Sequence, residues 1–402
     1  MSLRAITRQQ WFTLFSAQAG YMLDAMDVLL FVFAVNVLRD EFHLSASEAG
    51  LVGSFTLFSS AIGGIAFGVI MDRVGRAKAL VWSILIYSMA SAGTALSWNL
   101  ASLLFWRAMV GIGLGAEWAA GAVLVAETWP AEHRAKAVGI MQSGWALGYM
   151  LAAGVTGVVL PRWGWRALFL TGVLPALLAG VLRKTLKEPE IWKERAAAVR
   201  VPLTGIFKGV LRRRTVLGAL LASVVLFAYW GLFTWIPGFL SASPERGGAG
   251  LSIVKTSAFV VPMQMGAFLG YVAFGWLSDK IGRRPAFVLY VLGAAIVTPI
   301  YGASRVENTL LMLGPVVGFL GTGFFSMFGA MLAELYPTAL RGTGLSFVYN
   351  LGRGVSSLAP FAVGFAADSY GIGAALGLNS AFFALGGILI FTLPAINKAE
   401  LE

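Results

Sequence analysis

Long apolar stretches separated by short polar segments repeat along the whole chain. At about 1.5 Å of rise per helical residue, each stretch is long enough to cross a hydrocarbon core of about 30 Å. The sequence lacks the alternating ten-residue segments typical of membrane β-barrels. We therefore predict an all-α membrane protein of twelve spanning helices. The predicted spans are residues 12–37, 48–70, 79–99, 101–127, 136–159, 163–183, 215–241, 253–278, 285–304, 307–333, 342–367 and 372–393.

Two motifs recur at a single offset of 207 residues. GVIMDRVGR at residues 68–76 matches GWLSDKIGR at residues 275–283, and ETWPAEHR at residues 127–134 matches ELYPTALR at residues 334–341. Two motifs that share one offset indicate an internal duplication.

The duplication and the polar segments predict three parts. These are an N-terminal six-helix bundle at residues 1–183, a linker at residues 184–214 and a C-terminal six-helix bundle at residues 215–402. The linker is the longest polar segment, and it lies between the sixth and seventh spans. Its basic residues are consistent with two interpretations, an amphipathic helix on the lipid surface or a solvated tether.

The composition supports the membrane assignment. Only 12% of the residues are charged, against roughly 25% in ordinary soluble domains. The net charge of +11 comes from short loops rather than from one basic face, so we expect membrane lipid and no nucleic acid as a partner. Without cysteines, and with two isolated histidines, no metal site is predicted. A Gly-Lys-Ser/Thr phosphate loop is also absent, and we expect no cofactor.

The positions of lysine and arginine predict the orientation. Of the 30 basic residues, 22 lie at the termini or in loops after even-numbered spans, and six lie in loops after odd-numbered spans. Basic residues accumulate on the cytoplasmic side. We therefore expect both termini in the cytoplasm of a cell whose inner or plasma membrane holds the protein.

Charged residues inside spans are costly unless they are paired or hydrated, so they are functional candidates. Asp24 and Asp27 lie three residues apart, on one face of the first span. Two carboxylates that face one cavity repel each other, which lets one of them hold a proton near physiological pH. We assign proton coupling to this pair, with Asp27 ahead. The alternative is an acid held permanently by a partner helix.

Arg107 and Glu117 are further proton-coupling candidates in the fourth span. Arg107 maps onto Gly314 at the offset of 207, whereas Gly111 maps onto Gly318, so the duplication keeps the packing glycine and not the charge. An arginine that reaches the surface and pairs with Asp40 or Glu41 remains the alternative. Glu117 lies deeper, where it could neutralise an arginine or carry the proton itself.

Arg353 is the predicted anchor of the substrate. It lies about halfway along the eleventh span, and its planar guanidinium suits bidentate capture of a carboxylate. A structural ion pair is the alternative. Polar or aromatic residues that we expect around the cavity, although packing explains many such aromatics, are Tyr149, Tyr229, Trp230, Gln264, Tyr349, Asn350 and Asn379.

The twelve spans and the motif Gly-Xaa3-Asp-Arg/Lys-Xaa-Gly-Arg in both second-to-third loops make the chain resemble the major facilitator superfamily. Residues 117–121, 127–130, 163–169 and 182–194 look most like the sialate:proton symporters and their carboxylate-transporting relatives, which include lactate and aromatic-acid carriers. The resemblance implies alternating access by two helical bundles. The fifth span also lacks the Gly-Pro pair of the family's antiporters.

The resemblance also implies a gate built from the duplicated motifs. Asp72 would face the start of the eleventh span and Asp279 the start of the fifth, because a carboxylate is stabilised at a helix N-terminus. The alternative is that the basic residues only set topology. The predicted gating residues are Asp72, Arg73, Arg76, Glu127, Arg134, Asp279, Arg283, Glu334 and Arg341.

These patterns predict a monomeric, proton-coupled symporter of a small organic carboxylate, such as lactate, pyruvate, a sialic acid or an aromatic acid. A sugar or polyol carrier is the nearest alternative, but it has no need of Arg353. A proton-independent facilitator leaves Asp24 and Asp27 unexplained. A receptor has little use for a duplicated gate. An enzyme is not expected, because no span offers a nucleophile and a base at catalytic spacing.

Overall fold

A polar residue caps the start of the first helix in a computed structural model of the protein. The structure describes the backbone of residues 6–177, 180, 203–333, 335–336 and 340–393. At the first helix, the N–H of Gln10 donates to the Thr7 hydroxyl at 3.3 Å, and the N–H of Thr7 donates to Oε1 of Gln10 at 2.8 Å. This capping box satisfies two backbone donors at the helix start.

Helices account for nearly all of the described backbone, and the predicted all-α class is confirmed. Within the described residues, seven helical segments are long and apolar enough to cross a membrane by length and composition. The helices with defined bounds are α1 (Arg8–Phe42), α2 (Ala46–Val74), α3 (Arg76–Thr94), α4 (Leu100–Thr128), α5 (Ala131–Leu170), α6 (Gly209–Ser241), α7 (Ile253–Ile281), α8 (Arg283–Ala303), α9 (Glu307–Thr322), α10 (Phe325–Ala333), α11 (Arg341–Ser356), α12 (Ala359–Tyr370), α13 (Ile372–Leu376) and α14 (Leu378–Leu389).

Several predicted boundaries are shifted. The break between the fifth and sixth spans falls at Gly164, whose φ of 77° and ψ of 178° are not helical, rather than at residues 160–162. Glycine tolerates this conformation because it lacks a Cβ. Helix α6 begins at Gly209, inside the predicted linker.

The predicted tenth and eleventh spans are each divided into two helices. The division between α11 and α12 lies at Ser357 and Leu358. There the Ser356 hydroxyl donates to the carbonyl of Arg353 at 2.9 Å, and Pro360 lies in the first turn of α12. Proline has no N–H to donate, so it favours a new helix start at this point. The pattern of apolar residues in the sequence does not predict these breaks within a span.

The chain divides into two compact units. Unit 1 consists of Met1–Leu44, Phe55–Ala198 and Ile253–Ala258, and unit 2 consists of Ser45–Ser54, Val199–Ser252 and Phe259–Glu402. In unit 1, α1 packs along α5 and α3 packs along α4. In unit 2, α6 packs along α11 and α8 packs along α9. Similarly placed helices of the two halves therefore share these two pairings.

Individual glycines reproduce the offset of 207 residues in three dimensions. A methyl group at Gly111 would clash with the carbonyl oxygen of Thr56, and one at Gly318 would clash with that of Met263. Gly111 and Gly318 are 207 residues apart, and so are Thr56 and Met263. Each of these two glycines thus allows two helices of its half to pack closely, α4 on α2 and α9 on α7.

The two copies of the repeated nine-residue motif also share one backbone conformation. Gly75 precedes α3 with a φ of 110°, and Gly282 precedes α8 with a φ of 90°. Residues with a side chain rarely adopt this region. The glycine in each copy is therefore explained by a sharp connection between helices.

Candidate functional site

Helix α1 places two carboxylates in the interior of unit 1. Asp24 and Asp27 are 4% and 0% exposed, respectively. They lie one turn apart on the buried face of a helix whose central residues are otherwise apolar. Burying a carboxylate is costly without compensation, so these positions require a physical explanation.

Arg107 on α4 supplies the compensating charge for Asp27. The guanidinium is 1% exposed and attracts the carboxylate electrostatically. Within the described part of the chain, however, the Asp27 carboxylate forms no hydrogen bond with Arg107, and the Nε and Nη1 atoms of Arg107 lack hydrogen-bond partners. The pair thus balances charge without closing into a fully hydrogen-bonded ion pair. It retains capacity to bind a proton or another polar group.

The burial of Arg107 contradicts the alternative of a surface-directed arginine. Its Cζ lies 5.3 Å from the ring centre of Phe31, in the apolar interior of α1. Glu41, one of the two proposed surface partners, instead pairs with Arg166 at 3.2 Å. Arg107 therefore belongs to the interior with Asp27.

Ser91 and Gly172 complete the surroundings of Asp27. A methyl group at Gly172 would lie 2.6 Å from both Oδ1 of Asp27 and Cβ of Ser91. Contacts this short do not occur in folded proteins without displacement of the neighbours. The missing side chain of Gly172 hence leaves room for the carboxylate and the hydroxyl. Neither residue was a sequence candidate, because serine and glycine are common in membrane helices.

Unit 2 contains the predicted substrate anchor. Arg353 on α11 is 8% exposed, and its Cζ lies 5.7 Å from the ring centre of Tyr349, one turn earlier. Its Nε lacks a hydrogen-bond partner among the described residues. Tyr349 and the adjacent Asn350 are half-buried. A guanidinium with an unused donor in this position is suited to bind an anion.

Two amide side chains add polar groups inside unit 2. Gln264 on α7 is 2% exposed, and its Nε2 has no hydrogen-bond partner within the described ranges. Asn379 on α14 donates from Nδ2 to the carbonyl of Leu376 at 3.0 Å. Its Oδ1 faces Gly231 on α6, where a larger residue would clash.

The predicted cavity tyrosines take part in aromatic packing. In unit 1, the ring of Tyr149 contacts that of Phe33 edge-on, with the ring centres 5.9 Å apart. In unit 2, Tyr229 packs against Phe233 and Phe325 at 4.9 and 5.1 Å. Trp230 contacts the same tyrosine at 5.3 Å. These contacts favour a packing role for each aromatic residue.

Most of the predicted gating side chains lie outside the described part of the structure. Arg283 is described, and it is the half-buried first residue of α8. Glu334 lies outside the described residues, as do the side chains of Asp72, Arg73, Arg76, Glu127, Arg134, Asp279 and Arg341, and also that of Glu117. The gate assigned to the duplicated motifs therefore stays a prediction.

The helical fold, the duplicated pairings and the buried charges define a class of protein, the multi-pass membrane transporters. More particularly, the chain belongs to the Major Facilitator Superfamily, which matches residues 17–261 and 249–401. The predicted resemblance is thereby confirmed. This family consists of transporters and not of enzymes.

Alignments with individual relatives cover nearly the whole chain. The chain is 33% identical over 411 residues to the "Probable 4-methylmuconolactone transporter" of Cupriavidus pinatubonensis, covering 99% of this chain and 94% of that protein. It is 28% identical over 386 residues to the sialic acid transporter NanX of Escherichia coli, with 95% and 94% covered. The crystal structure of a D-xylose-proton symporter matches with a TM-score of 0.76 at 20% identity, covering 97% of this chain and 99% of that chain. At this identity, the last match shows a common fold only.

Proposed function

We propose that the protein is a symporter that carries a small organic monocarboxylate together with protons by alternating access. The observation that carries this proposal is the buried pair of Asp27 and Arg107, whose opposite charges attract although the carboxylate forms no hydrogen bond with the guanidinium in the described chain. Such a pair has two stable forms. Asp27 is either ionised and balanced by Arg107 or protonated and neutral.

Protonation of Asp27 alters the charge of unit 1. An ionised Asp27 neutralises Arg107, whereas a protonated Asp27 leaves the guanidinium charge uncompensated. Exposing unpaired charge to the membrane interior is costly, which ties the proton to the conformational cycle. An anionic substrate adds one negative charge to the carrier and so offsets the charge of the added proton. The total charge then stays unchanged when proton and carboxylate move together. Asp24 and Glu117 are further candidates for this proton transfer.

Arg353 in unit 2 is the proposed anchor for the carboxylate. Its buried guanidinium offers charge-assisted hydrogen bonds, which are roughly twice as strong as neutral ones. Gln264 and Asn379 would contact the remainder of the substrate. The relatives named for 4-methylmuconolactone and sialic acid are consistent with an organic acid as cargo.

A sugar or polyol carrier is the second candidate. The buried amides of Gln264 and Asn379 favour it, because amides bind hydroxyl groups. Arg353 speaks against it, since a neutral sugar leaves the buried positive charge without a counterion. A proton-independent facilitator would in turn leave Asp27 without a role.

A ligand screen distinguishes the carboxylate from the sugar. We would measure thermal unfolding of the purified carrier with lactate, pyruvate, sialic acid and 4-hydroxybenzoate, each beside its uncharged amide, and with xylose. A ligand that binds only the folded carrier stabilises it by mass action. We expect stabilisation by at least one acid and not by its amide. Stabilisation by xylose alone would contradict the proposal.

Replacement of Asp27 then tests proton coupling in proteoliposomes. Asp27→Asn removes the titratable group but keeps its size, so accumulation of the identified acid against its gradient should be lost. Exchange of labelled for unlabelled acid across the membrane should persist, because it needs no net proton movement. The control Asp40→Asn makes the same change at an exposed position of the same helix. Continued accumulation by Asp27→Asn removes Asp27 from the coupling role.

A further inference from the structure

A tyrosine that was not a sequence candidate lies among the polar groups of unit 2. Tyr271 on α7 is hydrogen-bonded to the side chain of Thr322, the last residue of α9. The Thr322 hydroxyl itself donates to the carbonyl of Gly318 at 2.7 Å. Because a hydroxyl group has a single proton to donate, the Tyr271 hydroxyl is the donor in its bond with Thr322. The phenol oxygen of Tyr271 is then left as an acceptor.

Tyr349 connects this acceptor with Arg353. The hydroxyl groups of Tyr271 and Tyr349 are close enough to interact electrostatically, and Tyr349 in turn interacts with the guanidinium of Arg353. Thr322 is 2% exposed, whereas both tyrosines are half-buried. Polar groups that gather around a charge within membrane helices face the protein interior or a hydrated cavity rather than lipid. The charge of Arg353 and the three hydroxyl groups thus belong to one polar cluster.

The duplication shows that helix packing does not require this cluster. At the offset of 207, Tyr271 corresponds to Gly64 and Thr322 to Gly115. These two glycines of unit 1 also lie against each other, since a methyl group at Gly115 would clash with the backbone nitrogen of Gly64. The same helix contact therefore holds two glycines in one half of the chain and a hydrogen-bonded pair of hydroxyl groups in the other.

We propose that Tyr271 is a specificity-determining residue, whose phenol oxygen accepts a hydrogen bond from a hydroxyl group of the substrate while Arg353 binds the carboxylate. This inference rests on the proposed function and narrows its substrate class to hydroxy acids. A carboxylate has no proton to donate, so the acceptor oxygen of Tyr271 adds nothing to the binding of the carboxylate itself. If Tyr349 donates to Tyr271, the oxygen of Tyr349 becomes the acceptor, and the preference for a substrate hydroxyl group is the same.

Paired acids that differ only in a hydroxyl group test this assignment. Binding of lactate and propionate, and of 4-hydroxybenzoate and benzoate, is measured by isothermal titration on the purified carrier at constant pH. The first pair has the hydroxyl group beside the carboxylate, and the second has it across a ring. Tyr271→Phe removes the phenol hydroxyl and keeps the ring. Tyr370→Phe makes the same change at an exposed position of the same unit and is the control.

We expect the unmodified carrier to bind at least one hydroxy acid about threefold to tenfold more tightly than its partner acid, as a single neutral hydrogen bond would. Tyr271→Phe should remove this preference by weakening the binding of the hydroxy acid alone, and Tyr370→Phe should retain it. Thr322→Val removes the acceptor that directs the Tyr271 hydroxyl, so it should reduce the preference. This second variant decides the matter if Tyr271→Phe folds poorly. Arg353→Lys should weaken both members of a pair alike.

Equal affinity for the two members of each pair, or a preference that survives in Tyr271→Phe, would overturn this inference and leave the carboxylate proposal intact. So would a Tyr271→Phe carrier that binds both members more weakly to the same extent, because that result shows a structural role for the tyrosine. Failure of all four acids to bind would also overturn the inference. It would contradict the proposed function as well if neither pyruvate nor sialic acid stabilised the carrier.

Discussion

At the scale of single residues, the buried charges mark where the two halves of the chain differ. Arg107 corresponds to Gly314 and Arg353 to Ala146 at the offset of 207, and Asp27 corresponds to Thr234. The sequence was sufficient to identify these three charges, because a charge within an apolar run is conspicuous. The approach of Asp27 to Arg107 depends on the packing of α1 and α4. No periodic pattern encodes that contact.

Gly172 provides the first test at this scale. Gly172→Ala places a methyl group 2.6 Å from Oδ1 of Asp27, so the carboxylate has to move. Overpacking of this kind costs about 1–3 kcal/mol, and we expect proton-driven uptake to fall by about tenfold. The control is Gly154→Ala on α5, where the new methyl group meets nothing within 4 Å. Equal uptake by the two variants would show that the space beside Asp27 is not required.

The geometry of Arg353 provides the second test. Arg353→Lys keeps the positive charge but loses the planar pair of donors that grips a carboxylate. A hydrogen bond to a charged group contributes about 1.5–3 kcal/mol, so KM for the identified acid should rise by about tenfold or more. Arg213→Lys, at an exposed position of α6, is the control. An unchanged KM in Arg353→Lys would place the carboxylate elsewhere.

At the scale of helices, small residues determine how closely the elements approach. Gly111 brings α4 against the backbone of α2, and Gly318 brings α9 against that of α7. Without a hydrophobic force between helices in lipid, close packing of this kind is a main source of association. The duplicated contacts should therefore contribute similarly to stability.

Alanine at the duplicated glycines tests this expectation. Gly111→Ala and Gly318→Ala each create a clash with a carbonyl oxygen of the neighbouring helix, so both should lower the thermal unfolding temperature in detergent by similar amounts. The comparison variants are Gly154→Ala and Gly275→Ala, whose methyl groups would meet nothing within 4 Å. Should only one of the first two variants be destabilised, the two helix contacts would not be equivalent.

Helix interiors were easier to predict from the sequence than helix ends and breaks. Apolar runs located the spans because lipid forces the backbone to satisfy its own hydrogen bonds. The division of the eleventh span at Ser357 was missed, because serine and proline occur inside membrane helices without breaking them. Gly164 was likewise one glycine among many. In helices that are apolar nearly all round, periodicity does not show which face is inward, so the packing roles of Tyr149 and Tyr229 were not predictable.

At the scale of the whole molecule, each unit holds a different part of the proposed cycle. Unit 1 contains the pair of Asp27 and Arg107, and unit 2 contains Arg353. The duplication in the sequence predicts two similar helical bundles. The proposed chemistry depends on the charged residues that differ between them, Asp27, Arg107 and Arg353. In the proposed cycle the proton and the carboxylate cross in one direction, since each compensates the charge effect of the other.

The most direct test of this account is the pH outside proteoliposomes when substrate is added without an imposed gradient. The acid identified by thermal shift is added to liposomes that contain the unmodified carrier in weakly buffered medium, and labelled acid and external pH are followed together. We predict that the medium becomes more alkaline as the acid enters, in a fixed ratio of protons to substrate. Uptake of the acid at constant external pH would contradict proton symport.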